Sequence, residues 1–172
     1  MWLKSYVFAS IADAHPERDV AVTIESNIKI NGDPGLMRLV LDNLIGNAWK
    51  YTAKTSAARI EIGSEQRDGK SVYFVRDNGA GFDMQYSHKL FAPFQRLHHR
   101  DEFEGTGIGL ATVKKIVERH GGKIWIESAV NSGTMLFFTA GDSAPAPPVQ
   151  IRGKTTMCAV PIREAVPRTC SV

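Results

Sequence analysis

Cysteine is scarce in this chain: there are two among 172 residues, Cys158 and Cys170, both near the C-terminal end. That pair offers no disulfide framework and no zinc-ligand spacing, which is compatible with a reducing, cytoplasmic setting. Long apolar runs are missing too. Nothing approaches the roughly 18 consecutive apolar residues of a membrane-spanning helix. No charged leader followed by an apolar stretch and a small-residue cleavage site is present. Neither sign of charge dominates, with 21 Lys and Arg against 18 Asp and Glu, for a net charge of +3. The bases form no stripe interleaved with aromatics, so no nucleic-acid interface is expected. What is present is a chain with 43% hydrophobic residues, enough for one ordinary core and a single domain with trimmings.

The organisation read along the chain is simple. Leu3 to Ala14 reads as a short helix ended by His15-Pro16, within a lead-in covering residues 1–18. Val20, Val22 and Ile24 alternate with polar residues, as do Ile28 and Ile30, which predicts two short strands joined at Ser26-Asn27. A helix is expected from Pro34 to Lys54. Strands follow around Ile60-Ile62 and Val72-Val75, with a turn at Asp68-Gly69 between them. From Gly79 to Gly105 there is little periodicity, as in a mobile lid. A last helix ends at Gly121-Gly122, before strands around Ile124-Ile126 and Met135-Phe138. This pattern predicts a two-layer α/β sandwich over residues 19–140: a mixed β-sheet covered on one face by about three helices. From 141 to 172 the composition changes, with Ala144-Pro145-Ala146-Pro147-Pro148, and a disordered tail is expected.

Two glycine-rich turns stand out. Gly105-Thr106-Gly107-Ile108-Gly109-Leu110 opens the last helical pattern, and Asp77-Asn78-Gly79-Ala80-Gly81 ends a strand-like run. Glycines at 105, 107 and 109 remove side chains, so backbone N–H groups can approach phosphate oxygens at the positive end of a helix. Asp77 is placed to accept a hydrogen bond from an exocyclic amine. Together they suggest a nucleotide held at both ends. Upstream of both turns lies the Pro34 helix, with Asp33 as N-cap and Pro34 at its first position. Asn43 and Asn47 share a stripe on it with Lys50 and Lys54. Two carboxamide oxygens and an ammonium on one face suit hydrated magnesium and polyphosphate. The bland alternative is a polar helix face turned to water.

These residues resemble the ATP-binding catalytic domain of bacterial sensor histidine kinases, over roughly Val20 to Thr139. The asparagine helix is similar to the N box, Asp77–Gly81 to the G1 box, Leu90-Phe91-Ala92-Pro93-Phe94-Gln95-Arg96-Leu97 to the F box, and Gly105–Leu110 to the G2 box. The stretch from Ile116 to Ile124, and Ser132-Gly133-Thr134, fit as well. Four boxes in one order are far more specific than any single one. The resemblance implies ATP and Mg2+ as cofactors, and a Bergerat-type ATP-binding fold. It implies Asn47 as a magnesium ligand with Asn43 beside it, Lys50 on phosphate and Tyr51 beside the adenine. It further implies Asp77 on the exocyclic amine and Gly79 and Gly81 near the base. Gly105, Thr106, Gly107, Gly109 and Leu110 would cradle the phosphates, and Arg96 would stabilise charge on the transferring group. Phe91 and Phe94 fit lid packing.

Position 43 separates families that share this fold. Gyrase-type, chaperone-type and mismatch-repair ATPases carry a glutamate there that activates water, whereas Asn43 cannot take a proton at neutral pH. Asp42 is rotated by about 100° around the helix and does not substitute. The resemblance departs in one respect: no histidine sits in the phosphoacceptor pattern. His15 is followed by Pro16-Glu17-Arg18, and His88, His98, His99 and His120 read as surface or helix-end residues. The implied partners are therefore a histidine-bearing dimerisation domain and, through it, a response regulator. Two alternatives stay open, a stand-alone anti-sigma-factor-type serine/threonine kinase and a non-catalytic ATP-binding module.

Overall fold

The computed structural model describes residues 18–26, 28–94 and 107–141, and the backbone of 149–151 and 155–157. The helix expected at Leu3–Ala14 lies outside the described residues. Strands β1 (Val20–Ile24), β2 (Ile28–Ile30), β3 (Ala58–Arg67), β4 (Lys70–Asp77), β5 (Ile124–Ala129) and β6 (Gly133–Thr139) fall where the sequence leads one to expect them. The helices are α1 (Pro34–Tyr51), α2 (Ser87–Leu90) and α3 (Gly109–Arg119), with a 3-10 turn at Met84–Tyr86 directly before α2. The main sheet runs β5-β6-β4-β3-β1. β1 lies parallel to β3, and the other pairs are antiparallel. This is the mixed sheet with about three helices that the sequence predicts.

Two short strands change the expectation for the tail. Val149–Ile151 (β7) pairs antiparallel with β2, and Thr155–Met157 (β8) pairs antiparallel with β1. Without β8, β1 would present an open row of backbone donors and acceptors at the sheet edge, and pairing satisfies them. Pro145, Pro147 and Pro148 precede β7 and do not fall within it.

The helix ends explain the layout. Asp33 caps α1 by accepting from the Leu36 N–H at 2.8 Å, and Pro34 starts the helix. The helix stops at Tyr51, short of the expected Lys54, where the Ala53 N–H turns to Lys50 O at 3.2 Å and the Thr52 hydroxyl bonds the Ala48 carbonyl at 2.8 Å. Helix α3 ends in a Schellman motif, in which Gly122 N–H reaches Val117 O and Gly121 N–H reaches Glu118 O. The two long helices are tied together where the Asp33 N–H donates to His120 Nε2 at 3.1 Å. Val40, Leu41, Leu44, Ile45 and Ala48 of α1, with Val113, Ile116 and Val117 of α3, pack on Ile60, Ile62, Tyr73, Val75, Leu136 and Phe138 of the sheet. At about 25 cal/mol per Å2 of buried apolar surface, this core is the main source of stability. Among the described residues, no helix is long and apolar enough to cross a membrane.

Candidate functional site

The site forms where the C-terminal half of α1 crosses the end of β4. Asn47, Tyr51, Asp77, Gly81, Phe82, Leu90, Leu110, Ile126, Thr134 and Leu136 line one small pocket. A wider groove adjoins it, sharing Tyr51, Gly81 and Phe82 and adding Lys54, Asn78, Gly79 and Ala80. The alternation of β4 dictates where Asp77 goes. It falls on the same face as Tyr73 and Val75, and so is buried at 7% exposure instead of reaching water. Burial pushes its carboxyl up to about 6, while backbone N–H bonds at Gly79 and Thr134 pull the other way. The Gly79 N–H donates to Asp77 Oδ1 at 2.8 Å, and a carboxylate, with about four lone-pair sites, keeps acceptor capacity beyond these bonds.

The loop after Asp77 is clamped on three sides. Asn78 bridges to the start of β3, accepting from the Arg59 N–H at 2.7 Å and donating to Ala57 O at 2.8 Å. Ala80 donates to Tyr51 O at 3.0 Å and accepts from the Asn131 N–H at 2.7 Å. The approach is so close that a Cβ at Gly79 would collide with the Tyr51 carbonyl, and one at Gly81 with the Ala129 carbonyl. Gly81 also has φ +57, the left-handed region that glycine adopts without steric cost.

The predicted residues divide. Asn47, Tyr51, Asp77, Gly81 and Leu110 meet in the pocket, and Gly79 borders the groove beside it. Asn43 is not in the pocket lining. Its Nδ2 donates to Leu39 O at 2.7 Å, a bond to its own helix backbone, while its Oδ1 faces Gly109. Lys50 is also outside the lining, with its ammonium 4.5 Å above the Tyr51 ring. Gly107 has φ +72 and accepts from the Phe94 N–H at 3.1 Å. Arg96, Gly105 and Thr106 lie outside the described residues, as do His98 and His99. Phe91 packs partly on the core as expected, but Phe94 is 75% exposed. Sequence reasoning assigned no role to Thr134, Phe82, Leu90, Ile126 or Leu136. Two of them carried a signal, Thr134 as the end of Ser132-Gly133-Thr134 and Leu90 as the first residue of the F-box stretch. The strand register sets Thr134 opposite Asp77.

The histidine kinase-, DNA gyrase B-, and HSP90-like ATPase family matches residues 32–142, which spans α1, the Asp77 loop, α3 and the last sheet strands. The chain belongs to this family. Within it, the chain is a histidine kinase C-terminal ATP-binding catalytic domain, as its relatives show. Cyanobacterial phytochrome A of Nostoc sp. strain PCC 7120 is 48% identical over 108 residues, covering 63% of this chain and 14% of that protein. Phytochrome-like protein Cph1 of Synechocystis sp. strain PCC 6803 is 37% identical over 131 residues, covering 76% of this chain and 17% of that protein. The chain thus spans less than a fifth of the length of these relatives. Among solved structures, the catalytic domain of histidine kinase ThkA superposes with a TM-score of 0.65 at 27% identity, covering 81% of this chain and 91% of that one. The family's fold and the two-layer sandwich found here agree, so the pocket lies within the matched domain.

Proposed function

We propose that this histidine kinase-type domain binds Mg-ATP in the Asp77 pocket and transfers the γ-phosphoryl group to a histidine on a separate dimerisation domain. The observation that carries this reading is the buried Asp77 carboxylate. Beyond its backbone bonds from Gly79 and Thr134 it keeps lone pairs in a largely apolar pocket, a suitable partner for the exocyclic amine of adenine. Tyr51, Ile126 and Leu136 supply apolar surface for the ring, and Thr134 adds a polar group beside Asp77.

Magnesium fits the donor set only as a shared ion. Among the described residues, no group of three or more His, Cys, Asp or Glu could hold a metal by itself. Asn47, with the Asn43 oxygen near it on α1, supplies neutral oxygens of the kind Mg2+ takes alongside phosphate and water. Bound there, the ion would neutralise phosphate charge. The N-terminus of α3 faces the same side, where amide N–H groups from Gly107 to Leu110 would meet the polyphosphate. Lys50 would leave its place over Tyr51 to join them.

In the transfer, an imidazole nitrogen attacks the γ-phosphorus. The bond from that phosphorus to the β,γ-bridging oxygen breaks, and ADP departs with the electron pair. Asn43 cannot deprotonate water, so hydrolysis is disfavoured and the phosphoryl group is kept for the imidazole. A response regulator would receive it next.

Labelled ATP tests this. Purified chain alone should show little self-labelling and slow hydrolysis, and adding a histidine-bearing dimerisation domain should produce acid-labile label on that domain. Strong, acid-stable self-labelling would overturn the reading in favour of a serine/threonine kinase.

A further inference from the structure

The last turn of α1 is held from two directions. A helix leaves its final four carbonyls without partners inside the helix, and here each finds a donor. Ala48 O takes the Thr52 N–H and hydroxyl, Lys50 O takes the Ala53 N–H, and Tyr51 O takes the Ala80 N–H. Trp49 O receives Arg18 Nη1 at 2.8 Å. The same guanidinium donates through Nη2 to Thr52 Oγ1 at 3.2 Å, and its carbon lies 4.5 Å from the centroid of the Trp49 ring. Thr52 Oγ1 also lies 3.0 Å from Trp49 O, but its one proton is shared with Ala48 O.

Arg18 therefore combines three contacts on one turn: two charge-assisted hydrogen bonds and a cation–π contact. Its positive charge also sits at the negative end of the helix macrodipole. It stands two residues before β1, at the point where the chain enters the domain. On the other side of the same turn, the Tyr51 carbonyl anchors the loop that carries Gly79 and Gly81, and Tyr51 itself lines the pocket.

We propose that Arg18 is a positioning residue for the nucleotide pocket. It holds the last turn of α1 and, through the Tyr51–Ala80 bond, the loop after Asp77, so the pocket responds to displacement of the chain N-terminal to β1. This deepens the ATP reading and rests on it. Lysine retains the charge but lacks the planar fork that reaches Trp49 O and Thr52 together.

The test compares Arg18→Ala and Arg18→Lys with a control, Tyr73→Phe, which removes a core-facing hydrogen bond from Tyr73 to Lys29 O remote from this turn. Two quantities are read in the full chain: exchange of the Ala80 amide without nucleotide, by NMR, and the dissociation constant for Mg-ATP. In Arg18→Ala, Ala80 exchange should speed up about tenfold and ATP affinity fall about threefold or more, with Arg18→Lys in between. Tyr73→Phe should lower the thermal midpoint while moving neither. Unchanged Ala80 exchange in Arg18→Ala would overturn the proposal. So would equal changes in Tyr73→Phe, which would reveal general loosening. Should Arg18→Ala not fold, the lysine variant carries the same comparison. Faster Ala80 exchange in a chain that binds no ATP at all would uphold the coupling and refute the nucleotide reading.

Discussion

The side-chain oxygen of Asn43 lies 2.5 Å from where a Cβ on Gly109 would stand, so the asparagine helix and the start of α3 meet only because position 109 has no side chain. The Asn43 amide cannot swing away freely, since its nitrogen is engaged by Leu39 O. Gly109→Ala should therefore displace Asn43 and the helix N-terminus against each other. Alanine is the better helix former by about 1 kcal/mol, which offsets part of the steric cost, so the melting temperature should change little. Mg-ATP affinity should fall about fivefold or more. Calorimetric titration alongside a thermal melt separates the two effects.

Asp77→Asn tests the adenine contact. The amide oxygen can still accept from the Gly79 N–H, which turns the NH2 group, a donor, toward a ligand amine that also donates. A hydrogen bond to a charged group contributes about 1.5–3 kcal/mol, so ATP affinity should drop roughly ten- to hundredfold. Unchanged affinity would remove Asp77 from the site.

The same residue predicts two opposite pH dependences. The folded chain holds the Asp77 proton more tightly, at about 6, than its ordinary value of 3.8. Its contribution to stability is therefore fully present below about pH 3.8 and is lost as pH rises through about 6. Nucleotide-free protein should gain stability from this group between pH 7 and 5, a gain absent in Asp77→Asn when the two denaturation midpoints are compared. ATP affinity should move the other way, weakening below about pH 6 as the carboxylate is protonated.

Variants of Asn47 test its proposed place beside magnesium. Asn47→Ala should lose an oxygen ligand and make nucleotide binding less magnesium-dependent, while Asn47→Asp should keep the ion but repel the triphosphate. Titrations with and without magnesium distinguish them. Parental behaviour in both variants would refute the assignment of Asn47.

Local chemistry was legible in the residues themselves. Asp33-Pro34 starts a helix, Asp68-Gly69 turns a hairpin with φ +50 and +72, and period-two alternation marks β1, β2 and the start of β3, because each depends on dihedral preferences of near neighbours. The sequence by itself also carried the proposed nucleotide site: Asn47, Tyr51, Asp77 and the glycines stand in boxes of fixed order. Tertiary structure decided the rest. Whether Asn43 turns its oxygen toward Gly109, whether Thr134 stands beside Asp77, and whether Arg18 reaches Trp49 O depend on packing between segments far apart in the chain. β8 pairing with β1 was equally invisible, since an edge recruits a strand through backbone groups that every residue carries. The raised carboxyl of Asp77 has the same origin. Its alternation in β4 gave it an inward face, but only the helices packed over that face took the water away.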